Sequence, residues 1–179
     1  MQKTKLINRV IAGAMLSFAL ATQSGQVVQA EAQRPTFLLR AKCVDSGLGN
    51  VRQKTLDVSI GKAVYTSRFY LGSGNRAASI TCKIRQVDSQ PLFQTLQLGF
   101  GMRDNATSPP VVVNVYLDGQ QAESRTIAPT QQESLSLDVS KATNVTLEAV
   151  CSSQSIYCER VYFFNAALEP LILAPSPSK

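Results

Sequence analysis

The chain contains no His and no Trp among its 179 residues. Without His there is no Ser-His-Asp or Cys-His catalytic set. Every His-ligated metal or haem site within the chain is excluded as well. CxxC is also absent, which removes the usual spacing of a zinc site or a dithiol redox pair. Charged residues make up only 17% of the chain, with no run of Lys or Arg and no interleaving of bases with aromatics. A nucleic-acid groove needs both, so no nucleic-acid partner is expected. Beyond residue 30 no window holds a 3.6-residue apolar period, so helices are not expected there. Residues 10–21 (VIAGAMLSFALA) form an apolar run of twelve, short of the ~20 that a membrane-spanning helix needs.

What is present begins with an export signal. Lys3, Lys5 and Arg9 precede that apolar run, and Val28-Gln29-Ala30 follows it with small residues where a signal peptidase cuts. Residues 1–30 therefore read as a signal peptide, and the mature chain as periplasmic or extracellular, with no transmembrane segment. Removing them takes away three bases and no acid, leaving 15 Lys and Arg against 12 Asp and Glu. The four cysteines, Cys43, Cys82, Cys151 and Cys158, all lie in the exported part, and an even number there predicts two disulfides. Cys151 and Cys158 flank a polar segment and suit a bridge across the loop between two strands. That leaves Cys43 with Cys82; a Cys82–Cys151 bridge is the second choice.

From residue 36 the apolar residues recur every second position, as in half-buried strands. Residues 36–42 open the series as one mixed strand. Leu56, Val58 and Ile60 alternate with polar residues, as do Ile80, Cys82 and Ile84; Leu96, Leu98 and Phe100; Leu135, Leu137 and Val139; and Val145, Leu147 and Ala149. Val111–Leu117 is almost continuously apolar and reads as a buried central strand, and residues 161–164 close the set. Turn signals fall at 47–50, 72–75, 108–110 and Asp118-Gly119. Eight or nine strands without helices predict an all-β antiparallel sandwich or jelly roll over residues 36–169. Residues 31–35 would be a short lead-in, and residues 170–179 (PLILAPSPSK) a loose Pro-rich tail.

Residues 111–168 add a pattern to this alternation. A buried strand reaches Asp118-Gly119, and a polar strand carries Ser124. Leu135-Ser136-Leu137-Asp138 and Val145-Thr146-Leu147-Glu148 follow, and the last strand ends Asn165-Ala166-Ala167-Leu168. This resembles the NPCBM family, the novel putative carbohydrate-binding module, with a looser fit from residue 98. The chain departs from the family pattern in having no His, and Val161-Tyr162-Phe163-Phe164 stands where that family carries Asp-Trp. The resemblance implies a galactose-binding-like jelly roll and a glycan ligand.

A sugar site needs an aromatic face for the pyranose ring and a few fixed polar groups. Tyr65, Phe69, Tyr70 and Tyr157 read as loop-placed aromatics. Arg103, Asp104 and Asn105 form a polar triplet after a strand, and Glu159 and Arg160 adjoin Cys158. Of these, Tyr65, Arg103, Asp104, Asn105, Tyr157 and Glu159 are the candidate ligand-binding residues. Catalysis is not expected. Ser59-Ile60-Gly61-Lys62 matches SxxK, but on a strand end and without SDN and KTG partners. A carboxylate-dependent hydrolase is the enzymatic alternative, though the acids are dispersed. Jelly rolls often carry Ca²⁺, but no DxDxDG-type loop is present, so no cofactor is expected. The expected role is therefore a secreted or periplasmic binding module for a carbohydrate or envelope polymer. The alternative is a structural or protein-interaction subunit of an envelope complex, with an envelope protein as partner.

Overall fold

Alternating side chains give each strand one apolar and one polar face, and the apolar faces of two sheets close on each other. In the computed structural model, which describes residues 34–171, eleven strands do this. They are β1 (Thr36–Phe37), β2 (Lys42–Gly47), β3 (Asn50–Ile60), β4 (Ala63–Gly74), β5 (Ala77–Lys83), β6 (Phe93–Gly101), β7 (Val111–Leu117), β8 (Gln120–Ile127), β9 (Gln132–Asp138), β10 (Asn144–Cys151) and β11 (Cys158–Pro170). One sheet has the order β3-β4-β11-β6-β9, with β1 also on β11; the other runs β2-β5-β10-β7-β8. All strand pairings are antiparallel. The expected all-β antiparallel sandwich is what the chain forms.

The inner faces meet in one core. Phe69, Leu71, Leu98, Phe100, Val161 and Phe163 come from the six-stranded sheet, and Ile80, Val113, Val115, Val145 and Leu147 from the five-stranded one. The Phe163 ring lies 4.5 Å from Phe69 and 5.3 Å from Phe100. A bulge in β11 between Phe163 and Asn165 changes the phase of the strand. Before it the odd-numbered Val161 and Phe163 are buried; after it the even-numbered Ala166 and Leu168 are. Phe164 lies on the outer face, where it stacks on Tyr65.

Several details differ from the sequence reading. Residues 36–42 are not one strand. β1 joins the six-stranded sheet, a 3₁₀ turn at Leu38–Arg40 crosses over, and β2 starts on the other sheet. The turn expected at 72–75 begins later, because Gly72 and Gly74 belong to β4. β7 is bonded on both sides but is buried on one face only; Val112, Asn114 and Tyr116 point outward, half-buried. β11 runs through Pro170, and Leu171 still donates to the Leu92 carbonyl. The export signal with its cleavage site, the first part of the lead-in, and the tail from residue 172 lie outside the described residues.

Both two-residue hairpins carry positive φ at both turn positions. In β7–β8 these are Asp118 (48°) and Gly119 (84°); in β3–β4 they are Gly61 (59°) and Lys62 (66°). This is the type I′ geometry that matches strand twist. The bridges are Cys43–Cys82 and Cys151–Cys158. The first joins directly opposed residues of β2 and β5, 4.0 Å apart at Cα, within one sheet. The second ties the end of β10 to the start of β11, and so links the two sheets.

Candidate functional site

Three connections gather at the end of the sandwich that the second bridge closes: 48–49 between β2 and β3, 75–76 between β4 and β5, and 152–157 between β10 and β11. Backbone bonds knit them together. Gly49 N–H donates to the Ala77 carbonyl and Cys151 N–H to the Arg76 carbonyl, each at 2.8 Å. Only glycine fits at position 49, since a Cβ there would stand 2.5 Å from the Gly72 carbonyl oxygen. Within the third connection, Ile156 N–H donates to Ser153 Oγ at 3.1 Å.

Tyr157 sits at the exit of that connection with 59% of its surface exposed. Its ring lies beside Gly74, where an added Cβ would be 3.7 Å from Cε2. A shallow hollow of about 290 Å³ on one side is lined by Tyr157, Arg103, Glu159 and Arg160. Another of about 450 Å³ is lined by Tyr157 with Asp45, Leu48, Asn50 and Arg52 among others. A third, of about 640 Å³, lies between Asn75 and Arg76 on one strand connection and, opposite them, Cys151 at the end of β10 and Gln154 on the connection that follows it.

Glu159 organises the first hollow. Its Oε2 accepts from Arg103 Nη2 at 2.8 Å and Nε at 3.1 Å, a two-pronged pair. Its Oε1 accepts from Thr107 N–H, and its own N–H donates to Ser108 Oγ at 2.9 Å. One residue thus fastens the 102–110 loop to the start of β11. Arg160 lies with its guanidinium carbon 4.6 Å over the Tyr70 ring. The Tyr162 hydroxyl beside it raises its pKa above the ordinary arginine value, against the opposing effect of burial.

The other predicted residues go elsewhere. Asp104 turns toward the β3–β4 hairpin, and its carboxylate accepts from Ser59 Oγ at 2.5 Å, Gly61 N–H at 2.7 Å and Lys62 N–H at 3.0 Å. These donors, the Ser59 hydroxyl foremost, hold its pKa below the usual carboxylate value. The residues of the SxxK match are therefore parts of a turn clamped by an aspartate. Asn105 lines a separate hollow of about 410 Å³ with Arg103, Asp104 and residues of β3. Tyr65 stacks on Phe164 with ring centres 4.4 Å apart and lines none of these hollows. Phe69 is not a loop aromatic at all: it is a fully buried core residue of β4, and Tyr70 next to it is buried beneath Arg160.

The structure thus brings Tyr157, Arg103 and Glu159 together and leaves Tyr65, Asp104 and Asn105 outside that group. Sequence reasoning missed Asp45, Leu48, Asn50 and Arg52. The available signal was Leu48, an apolar residue inside a Gly-rich turn, which is 76% exposed. The remaining acids near strand ends hold backbone. Asp118 accepts from Thr143 and Asn144 N–H; although burial pushes its pKa up, these donors bring it below the ordinary value. Among the described residues no group of three or more His, Cys, Asp or Glu is placed to hold a metal ion.

No protein-family model matches the chain, and no curated protein matches it. Solved structures do. The CBM51 of Clostridium perfringens GH95, solved in complex with methyl-galactose, superposes with a TM-score of 0.60 at 14% identity, over 75% of this chain and 99% of that one. The M60 catalytic domain of Clostridium perfringens ZmpB with its CBM51-1 and CBM51-2 domains gives 0.60 at 16% identity, over 76% of this chain and 15% of that one. CBM51-2 of the same protein, in complex with GlcNAc and with its INT domains, gives 0.59 at 15% identity, over 78% and 32%. The chain spans a minor part of the two ZmpB structures. At these identities the likeness shows the fold, the two-sheet jelly roll of carbohydrate-binding modules.

Proposed function

We propose that this chain is an exported, non-catalytic carbohydrate-binding module whose ligand rests on Tyr157. The observation that carries the reading is one exposed aromatic ring with a hollow on either side. The Cys151–Cys158 bridge closes the connection that carries the ring, and the ring lies beside Gly74. Arg103 and Glu159 lie on one side, and Asp45 and Asn50 on the other. That is the arrangement a pyranose requires: an apolar face for the C–H side of the ring and fixed donors and acceptors for its hydroxyls. The fold shared with modules solved bound to methyl-galactose and to GlcNAc supports a hexose-type ligand. Two disulfides that consume all four cysteines support an oxidising, extracytoplasmic location.

The test is titration of the purified chain with methyl-galactoside and with GlcNAc, followed by amide chemical shifts. Shifts are expected around Tyr157 and Glu159. The Tyr157→Ala variant is expected to lose about tenfold in affinity, a stacked ring being worth about 0.5–1.5 kcal/mol beyond its area, with no change in Tm. Wild-type affinity in that variant sinks the reading. A second reading, a protein-interaction subunit of an envelope complex, draws on the exposure of Leu48 (76%) and Ile156 (57%) near the same ring. It requires a co-purifying protein that is lost in the Leu48→Ser, Ile156→Ser double variant.

A further inference from the structure

The charge around Tyr157 is lopsided. Arg52 and Arg160 line the two hollows that share its ring, and Arg76 lines the third hollow at the same end. Two ion pairs occur among the described residues, Arg103–Glu159 and Arg125–Glu123. Arg52, Arg76 and Arg160 are in neither. Asp45 is the one carboxylate lining these hollows besides Glu159, whose charge is already committed to Arg103. Two guanidiniums without a carboxylate partner therefore flank one exposed ring, and a third lines a separate hollow at the same end. Arg160 is the best placed. Its guanidinium carbon lies over the Tyr70 ring beside the Tyr162 hydroxyl, and its remaining N–H donors can grip a planar anion.

We infer that the ligand at Tyr157 is an anionic saccharide, one whose carboxylate or sulfate is held by Arg160 and Arg52 while a sugar ring covers the tyrosine. This rests on the carbohydrate-binding reading above and narrows it. A neutral hexose offers the guanidiniums only hydroxyl acceptors, whereas an anion also uses the positive field of the whole end of the sandwich. Arg76 adds to that field, and Asp45 opposes it.

The experiment is calorimetric titration of the purified chain with three probes: tetragalacturonate, the neutral galactotetraose of the same linkage, and that tetramer bearing sulfate groups. Expected is binding of at least one anionic probe about tenfold tighter than the neutral one in about 0.1 M salt, the gap closing toward about twofold near 1 M as screening shortens. Which anion wins separates a carboxylate from a sulfate source. R52Q and R160Q are expected to narrow that gap to about twofold, because the anionic probe loses more affinity than the neutral one. R160K is expected to keep the salt dependence and lose part of the affinity, because it retains the charge but not the fork. Equal, salt-insensitive binding of all three probes overturns this inference and leaves the module reading standing. Binding of none of them overturns both. An anionic preference that survives R52Q, R160Q and R76Q overturns the assignment to this end of the sandwich.

Discussion

Removing the two disulfides one at a time separates folding from binding. The Cys43–Cys82 bridge spans 39 residues and lies within one sheet. The Cys151–Cys158 bridge spans 7 and joins the sheets behind Tyr157. If a bridge acts by restricting the unfolded chain, loop length sets its contribution, about 3.9 kcal/mol for the long loop and about 2.4 for the short one. The C43A/C82A variant should therefore be the less stable, with a urea midpoint lower by more than about 1 M. Its affinity for saccharide, measured where it remains folded, should equal that of the parent, because neither cysteine lines a hollow beside Tyr157. The C151A/C158A variant should show the reverse: a smaller midpoint loss, and an affinity weakened about as much as by Tyr157→Ala. Urea unfolding followed by circular dichroism, with calorimetric titration of the same samples, measures both. If C43A/C82A loses affinity while C151A/C158A keeps it, the bridge does not hold the ring and the site is misplaced.

Further consequences follow from the carboxylates and the core. Asp104, Asp118 and Asp138 all have folded-state pKa values below their unfolded ones. Each therefore contributes stability that is fully present above the unfolded value, about pH 3.9, and lost as pH falls through the folded value. The one side chain that ordinarily titrates between about pH 5 and 8 is His, and the chain has none. Urea midpoints are thus expected to be flat from about pH 5.5 to 8 and to drop below about pH 4; a step near pH 6 contradicts this. Asp118→Asn should lower stability at pH 7 and flatten the acid limb. A Cβ on Gly99 would stand 2.4 Å from Cε2 of Phe164 and 3.2 Å from Cβ of Asn165, so Gly99→Ala should cost about 1–3 kcal/mol. The G99A/F164A double variant should lose less than the two single changes added together. Strict additivity in that cycle would show that the two groups do not meet. Phe163→Ala, which removes a fully buried ring between Phe69 and Phe100, should cost about 3–5 kcal/mol.

Where alternation governs burial, the strands were legible. β9 and β10 bury Leu135, Leu137, Val145, Leu147 and Ala149 and expose or half-expose the residues between. β4 was not legible, because burial within it does not alternate: from Phe69 to Ser73 every residue is buried. Arg160 covers Tyr70 on the outer face, while Phe69 and Leu71 enter the core. A strand covered on both faces that also contains Gly and Ser resembles a loop, and so its aromatics were mistaken for loop residues. The split of residues 36–42 was hidden for a related reason, since three residues suffice to cross from one sheet to the other.

Site residues divide by the reach of the contact that decides their role. Asp104 looked like a ligand-facing loop acid, but its partners are 42 to 45 positions earlier in the chain. No local spacing reveals a hairpin tip brought back across a sheet. Tyr157 was visible because its constraint is local: an aromatic at the end of a six-residue loop that two cysteines can close. That constraint also bears on affinity. A ring on a free loop must be ordered when a ligand arrives, at about 0.5–1.5 kcal/mol for each side chain immobilised. Here β10 and β11 anchor the loop in different sheets, the bridge closes it, and the Ser153–Ile156 bond braces its middle. Most of that ordering is complete once the sandwich has folded, so opening the bridge should weaken ligand affinity as well as stability.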